Sequence, residues 1–318
     1  MGKNIWMDGI FGVVVGDALG CPVEFKSREE RKQDPVIDMR EYGTFRLPKG
    51  SWTDDSSMTL AELDSLIECK EVDVKDMMEA FVRWYRIGEY TPFGYAFDIG
   101  MTCQVAITKY QRFEDPYSCG GDKEFDNGNG SLMRIMPVCL WAYEKGLNED
   151  DAIKLIHEVS GLTHNHMRAK MACGLYYFMV VAILEEEGTL IERMQKGVDA
   201  GFRFYGKRNE CMEELETYKR IRTVDVFAVV PEVEIGSSGY VVDSLEASVW
   251  CLARTESYKE CTLMAANLGD DTDTTAAIAG GLAGLYYGFD GIPEAWRECI
   301  QRKEWIEELC RCTMQAVG

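Results

Sequence analysis

The sequence is poor in basic residues. Its 318 residues contain 34 Lys and Arg against 54 Asp and Glu, which gives a formal net charge of −20. A chain this acidic repels nucleic-acid phosphates and anionic membrane surfaces, so we expect neither nucleic acid nor a membrane as a partner. A phosphate-bearing ligand would need local help from metal ions, backbone N–H groups or a helix N-terminus.

Long hydrophobic runs are also missing, and we expect no secretion signal. The longest apolar stretch, Ala172–Leu184, covers 13 residues and is too short to span a bilayer. The apolar run Ile10–Val15 is bracketed by Asp8 and Asp17 and has no small-residue cleavage site after it. We interpret this run as a buried helix.

Histidines are few, and the cysteines are not paired in sequence. The chain has 3 His, and its 12 Cys are scattered without a CxxC pair or a Cys/His cluster at zinc spacing. Cysteines inside apolar helical patterns behave as small hydrophobic residues. These absences argue against a zinc site and a disulfide framework, and a cytoplasmic location is expected.

Helical periodicity dominates what remains. Apolar residues recur at three- and four-residue intervals in five segments, whereas two-residue alternation is scarce. The segments are Met58–Ile67, Val74–Ile87, Ile153–Val159, Met167–Leu184 and Leu245–Leu252. Asp73 and Gly88 are the start and stop signals of one helix, and Asn148–Asp150 precedes another that ends near Gly161. Pro293 is predicted to open a terminal helix. The sequence therefore predicts an all-α fold.

Gly, Pro and polar residues cluster without periodicity in three predicted loops, Lys26–Ser51, Glu114–Asn129 and Val224–Gly239. None of these loops resembles a long flexible linker. We therefore predict a single compact multi-helix domain over residues 1–318, and a monomer. Small residues along Ala276–Gly284 predict a helix face that another helix approaches closely.

Two acidic motifs lie more than two hundred residues apart, Thr53-Asp54-Asp55 and Gly269-Asp270-Asp271-Thr272-Asp273-Thr274. Each precedes a predicted helix, Ser56–Cys69 after the first motif and Thr274–Tyr287 after the second. Either motif alone is explained by helix capping, but five Asp in two short apolar-flanked motifs repel one another unless cations neutralise them. Mg²⁺ and Mn²⁺ prefer such oxygen ligands, so the two motifs together predict a divalent-cation site.

Three further features leave alternatives open. Glu24, between Val23 and Phe25, is either a desolvated carboxylate tuned for general-base work or, as the sequence alone favours, an exposed glutamate. The segment Gly128–Ser131, before the apolar run Leu132–Trp141, is either a phosphate- or ribose-binding helix start or a plain turn. His164 is interpreted as a residue that hydrogen bonds a substrate or caps a helix.

Taken together, these residues resemble the ADP-ribosylglycohydrolase family over nearly the whole chain. Each motif is weak alone, but the set in this order is highly specific. The motifs are Gly16-Asp17-Ala18-Leu19-Gly20 with Glu24, Trp52-Thr53-Asp54-Asp55-Ser56, Asp98-Ile99-Gly100, Gly128-Asn129-Gly130 with Met133-Arg134, Thr163-His164, and Asp271-Thr272-Asp273-Thr274 leading to Gly288.

The resemblance implies an all-α globule with a central cleft that holds two Mg²⁺ or Mn²⁺ ions. It implies hydrolysis at the anomeric carbon of ADP-ribose, with an ADP-ribose-containing small molecule or an ADP-ribosylated protein as the partner. The implied metal ligands are Thr53, Asp54, Asp55, Asp271, Asp273 and Thr274. The implied catalytic residues are Glu24, Asp55 and Asp271. The implied ADP-ribose-binding residues are Asp98, Gly100, Asn129, Gly130, Ser131 and His164.

Asp270 departs from the family pattern, because many relatives carry a glycine there, and it adds negative charge beside the expected metals. The ligand positions themselves are intact. We expect an arginine-linked acceptor. Serine-linked ADP-ribose, O-acetyl-ADP-ribose and a non-catalytic ADP-ribose-binding protein are the alternatives.

Overall fold

The structure is a computed structural model that describes residues 4–317. Within that part of the chain the fold is all-α, with short 3₁₀ turns and two isolated β-bridges but no β-strand. The helices are α1 (Ile5–Gly20), α2 (Arg28–Gln33), α3 (Asp54–Cys69), α4 (Val74–Ile87), α5 (Met101–Phe113), α6 (Met136–Glu144), α7 (Glu149–Gly161) and α8 (Met167–Glu185). They continue with α9 (Leu190–Tyr205), α10 (Met212–Leu215), α11 (Val224–Ala228), α12 (Val241–Ala253), α13 (Tyr258–Asn267), α14 (Thr272–Tyr287), α15 (Glu294–Cys299) and α16 (Lys303–Val317).

Helices α1 and α14 form the centre of the fold and pack closely against each other. A Cβ atom on Gly12 would lie 2.3 Å from the carbonyl oxygen of Gly280, and one on Gly16 would lie 2.1 Å from that of Ala276. Both distances are below any van der Waals contact, so only glycine fits on this face of α1. The small-residue face predicted for Ala276–Gly284 is therefore confirmed, and it lies against α1.

Burial accounts for the apolar composition of two long helices. Ile5–Val23 and α8 are long and apolar enough to cross a membrane by length and composition alone. Within the fold, however, 83% and 72% of their most apolar windows are buried. A helix that is apolar all round is buried when it lies at the core of a large domain, which is how these two helices lie here.

The predicted helix boundaries are confirmed where capping residues set them. Asp73 accepts hydrogen bonds from the first-turn N–H groups of α4, and Gly88 ends that helix in the left-handed conformation. Asn148 caps α7 in the same way. These caps are local interactions between neighbours in sequence, which explains why the pattern alone located them.

Other boundaries were predicted wrongly. Helices α3 and α14 begin two residues before the predicted Ser56 and Thr274, so their acidic residues lie inside the first turn. The run Leu132–Trp141 becomes helical only from Met136, which makes the preceding segment a series of turns. The predicted loop Lys26–Ser51 contains α2, and the helix after Pro293 ends at Cys299 before α16 begins.

Candidate active site

Asp17, near the end of α1, fixes the start of α3. Its fully buried carboxylate accepts hydrogen bonds from the backbone N–H of Thr53 at 3.0 Å and of Ser56 at 2.9 Å. The Ser56 hydroxyl donates a further bond of 2.5 Å. Burial raises the pKa of Asp17 to about 7, against the lowering effect of these bonds. A side chain from α1 therefore caps α3, whereas Thr53, the residue at the N-cap position, forms no side-chain capping bond.

The two acidic motifs meet at Asp55. Its Oδ2 atom accepts hydrogen bonds from the Thr53 hydroxyl and from the Thr274 hydroxyl, each at 3.2 Å. Thr53 is the N-cap residue of α3 and Asp55 lies in its first turn, whereas Thr274 lies in the first turn of α14. The N-termini of α3 and α14 thus converge, and the positive ends of two helix dipoles face the same acidic cluster.

Glu24 follows the 3₁₀ turn at the end of α1 and is only 4% exposed, so the exposed position favoured by the sequence is wrong. Carboxylate oxygens of Glu24, Asp271 and Asp273 all lie within 4.8 Å of one another. Burial, and then the charges of Asp273 and Asp98, raise the pKa of Glu24 far above its usual range. Asp98 is also within hydrogen-bonding contact of Glu24, so in the absence of a cation this pair holds a proton.

The chemistry of the cluster fits divalent cations. Within the cluster, three buried carboxylate oxygens have no hydrogen-bond partner: Glu24 Oε2, Asp55 Oδ1 and Asp273 Oδ2. None of the cluster's carboxylates forms an ion pair with Lys, Arg or His within residues 4–317. Burial and mutual repulsion raise the pKa of Asp54, Asp55 and Asp273. Oxygen-rich, partnerless sites of this kind suit hard cations such as Mg²⁺ or Mn²⁺.

The cluster opens into a cleft of about 330 Å³. Glu24, Asp54, Asp98 and Asp271 line its acidic side. Its other lining residues include Gly100 at the start of α5, the turn Gly128–Gly130, and His164. Asn129 joins the two sides, because its Nδ2 donates to Asp271 Oδ2 at 2.7 Å and to Ser244 Oγ at 2.9 Å.

The turn Gly128–Gly130 passes directly over the imidazole of His164. A Cβ atom on Gly130 would lie 2.8 Å from His164 Cε1, and one on Gly128 would lie 3.3 Å from Nε2. Only glycine allows this close approach of the backbone to the ring. The segment is not a helix start, because α6 begins at Met136.

Ser131 does not reach the cleft. Its hydroxyl is fully buried and accepts a hydrogen bond of 2.9 Å from Ser160 in α7. The predicted ligand-binding role therefore has no support from the position of this side chain.

Asp270 also lies outside the cleft lining. Its side chain is exposed and lies within 3.4 Å of the Ser237 hydroxyl, and its backbone has a φ of +60°. Glycine adopts that conformation without strain, which gives a physical reason for the family preference.

A buried chain of hydrogen bonds leads from Glu62 to His164. Arg134 is ion paired with Glu62, both fully buried, and its Nη2 donates to Thr163 Oγ1 at 2.8 Å. Thr163 Oγ1 lies 2.9 Å from His164 Nδ1. The hydroxyl accepts from Arg134 and still has a proton and a second lone pair, so it can pair with Nδ1 in either imidazole tautomer.

His164 Nε2 faces the glycine turn and has no protein hydrogen-bond partner among the described residues. Burial and the charge of Arg134 lower the pKa of His164 to about 3, so the ring is neutral. In the tautomer in which Thr163 donates to Nδ1, the ring carries its proton on Nε2 and offers the cleft a neutral hydrogen-bond donor. Glu62 was not among the predicted functional residues. The only feature of the sequence that could have indicated it is a glutamate within an apolar helical stretch.

A larger cavity of about 760 Å³ lies elsewhere, between α6, α7, α8 and α9. Its lining includes Tyr177, Phe178, Glu149 and Arg203 but none of the clustered acids and not His164. We place the candidate active site in the smaller cleft, because the partnerless carboxylate oxygens and the oriented histidine converge there.

Comparison with known proteins identifies relatives that match nearly the whole chain. A family model described as ADP-ribosylglycohydrolase matches residues 6–317. The chain is 31% identical over 300 residues to the ADP-ribosylarginine hydrolase Tri1 of Serratia proteamaculans, covering 94% of this chain and 76% of the relative. It is 30% identical over 302 residues to the ADP-ribosyl-[dinitrogen reductase] glycohydrolase of Rhodospirillum rubrum, covering 93% and 90%. A solved structure described as an ADP-ribosylglycohydrolase-related protein complex superposes with a TM-score of 0.78 at 30% identity, covering 99% of this chain and 98% of the other.

Proposed function

The chain belongs to the ADP-ribosylglycohydrolase family, and we propose that it is a metal-dependent hydrolase that releases ADP-ribose from ADP-ribosylated arginine. One observation carries the proposal. Three partnerless carboxylate oxygens are buried where α1, α3 and α14 meet, beside a cleft that also receives the donor of His164. This arrangement supports cation binding and hydrolysis of a polar ligand in the same place.

Two divalent cations, Mg²⁺ or Mn²⁺, would be held by residues at the starts of α3 and α14. The proposed ligands are Thr53, Asp54, Asp55, Asp271, Asp273 and Thr274. Bound there, the cations would neutralise the acids and supply Lewis-acid chemistry. Asn129 keeps Asp271 in place through its bond of 2.7 Å, and Asp17 holds the start of α3 rigid.

Glu24 is the proposed general acid or base. Its Oε2 atom is buried without a hydrogen-bond partner beside the proposed cation ligands, so in its protonated form it can give a proton to the nitrogen that leaves the anomeric carbon. The same carboxyl can take a proton from the attacking water. Both roles require a residue close to the reacting carbon. Glu24 meets this requirement because it lies beside the proposed cation ligands.

The remaining cleft residues bind the part of the ligand that does not react. A diphosphate is repelled by the acidic side, so it belongs beside Gly128–Gly130 and His164, where Nε2–H donates to an oxygen atom. Gly100 and Asp98 border the acidic side. The contacts of this non-reacting part of the ligand supply binding energy that positions the anomeric carbon next to Glu24.

The names of two relatives support arginine as the acceptor, since both are ADP-ribosylarginine hydrolases with 31% identity to this chain. We also propose a cytoplasmic location, which the 12 free thiols support.

The experiment that tests the function compares three substrates with the purified protein and Mn²⁺: ADP-ribosyl-arginine, a peptide with ADP-ribosyl-serine, and O-acetyl-ADP-ribose. We expect fastest release of free ADP-ribose from the arginine conjugate and a loss of roughly 100-fold or more in Glu24→Gln. Undiminished turnover in that variant removes Glu24 from the mechanism. Tight binding of ADP-ribose without release from any substrate makes the protein a binder.

A further inference from the structure

Five aromatic side chains form a continuous exposed strip that we call the aromatic ridge: Phe25, Phe45, Phe97, Tyr95 and Phe93. Along this order each ring centroid lies within 6.3 Å of the next. Phe25 is 67% exposed, Tyr95 is 51% exposed and Phe93 is 37% exposed, while the other two are half-buried. Contiguous exposed apolar surface of this kind marks an interaction site more often than isolated exposed residues do.

The ridge begins at the acidic side of the cleft. Phe25 lines the cleft and directly follows Glu24, and Phe97 directly precedes Asp98. From there the rings lead away from the cleft to Phe93, which is not part of its lining. The ridge is therefore continuous with the place where the proposed reaction occurs.

The backbone holds Phe25 in this exposed position against its own preference. Phe25 has φ of +63°, which is unfavourable for a bulky residue. It is kept there by hydrogen bonds of 2.8 Å from its N–H to the carbonyl of Asp270 and from the Asp270 N–H to the carbonyl of Lys26. Strained backbone maintained by neighbouring structure is typical of sites that contact ligands.

The orientation of the substrate in the cleft determines what meets the ridge. With the diphosphate beside His164, the anomeric carbon lies near Glu24 and the acceptor leaves on that same side. When the acceptor is free arginine, the substrate extends no further than this point. When the arginine belongs to a protein, the polypeptide on either side of it extends across the surface next to Phe25.

We propose that the aromatic ridge binds the polypeptide on either side of the modified arginine, so that the substrate is an ADP-ribosylated protein; this rests on the proposed function. An extended chain advances about 3.3 Å per residue, so five rings in succession contact several residues, far beyond the reach of a free amino acid. Aromatic faces bind aliphatic and cationic side chains, and the net charge of −20 favours a basic segment.

The test uses binding, with Glu24→Gln as the background so that turnover is blocked. Phe45, Tyr95 and Phe93 are replaced together by Ala, which leaves Phe25 and Phe97 beside the acids unchanged. Two probes are titrated with Mn²⁺ present: free ADP-ribose, and a nine-residue peptide whose central ADP-ribosyl-arginine is flanked by Leu and Arg. We expect the peptide Kd to rise by roughly 10-fold or more and the ADP-ribose Kd to stay within about two-fold.

Phe113→Ala is the matched control. Phe113 is also an exposed phenylalanine, at 60%, but it lies at the end of α5 and forms no ring pair with the ridge. It should leave both affinities unchanged.

Equal peptide affinity in the triple variant and its parent overturns the ridge proposal, and so does an equal loss for both probes. Because these are binding measurements, they give an answer even if no substrate is hydrolysed, which would contradict the proposed function alone.

Discussion

Replacing Thr163 by Val tests the hydrogen-bond chain that orients His164. Valine keeps the shape of threonine but removes the oxygen that accepts from Arg134 at 2.8 Å and lies 2.9 Å from His164 Nδ1. Arg134 keeps its ion pair with Glu62 and a longer contact of 3.4 Å to the carbonyl of Val159. The loss is therefore that of one charge-assisted bond with partial compensation, about 2 kcal/mol of unfolding free energy.

Ligand binding should weaken as well, because the imidazole loses the bond that fixes its orientation. One hydrogen bond of about 1 kcal/mol corresponds to a roughly five-fold rise in the Kd for ADP-ribose. Thr163→Ser is the matched control, since serine retains the hydroxyl and should preserve both the stability and the affinity.

The assay combines urea unfolding, ADP-ribose titration and ¹⁵N NMR of the imidazole rings. Only 3 histidines are present, so the ring signals of His164 can be assigned by substitution. In the unmodified protein His164 should be neutral at pH 7 with its proton on Nε2. A proton on Nδ1, or a Thr163→Val variant with unchanged stability, would refute the reasoning.

Three other predictions follow from the same structure. In metal-free protein, the pKa of Asp17 is raised from 3.8 to about 7, so between these values the folded state keeps a proton that the unfolded chain has lost. The free energy of unfolding should therefore fall by roughly 2–4 kcal/mol as pH rises from 4 through 7. Urea midpoints that do not change with pH in the presence of chelator would contradict this. Asp273→Asn should raise the melting temperature of the metal-free protein by relieving repulsion, yet reduce its rise on adding Mn²⁺; a lower metal-free melting temperature would count against the repulsion. Gly16→Ala should lower the free energy of unfolding by about 3 kcal/mol or more, because the new Cβ would lie 2.1 Å from the carbonyl oxygen of Ala276. The control Gly100→Ala places its Cβ in open space and should leave stability nearly unchanged. Equal stabilities of the two variants would disprove the close packing.

Local signals explain what could be predicted from the sequence. The helical period and the caps at Asp73 and Asn148 depend on neighbours in sequence, so the all-α fold followed from them. The two acidic motifs were expected to form one divalent-cation site, because five Asp in two short motifs repel one another unless cations neutralise them. The hydrogen bonds from Thr53 and Thr274 to Asp55 show that they do meet.

Tertiary packing explains what could not be predicted. Asp17 was interpreted as the polar end of an apolar run and as part of a family motif, but nothing near it in sequence indicates that it caps a helix that starts 36 residues later. The burial of Glu24 depends on α14 and the loop before α5, which are distant in sequence. Ser131 was assigned to the ADP-ribose pocket by the family resemblance, but its hydroxyl is hydrogen bonded to Ser160 in the core.

The most direct test of metal-dependent ADP-ribose hydrolysis is the release of free ADP-ribose from ADP-ribosyl-arginine by the purified protein. It should be measured with Mg²⁺ or Mn²⁺, with chelator, and after the metal is restored. We predict rapid release with metal, loss of release with chelator and full recovery on restoring the ion. Release that continues unchanged in chelator, or no release from any ADP-ribose conjugate with metal present, would contradict the account.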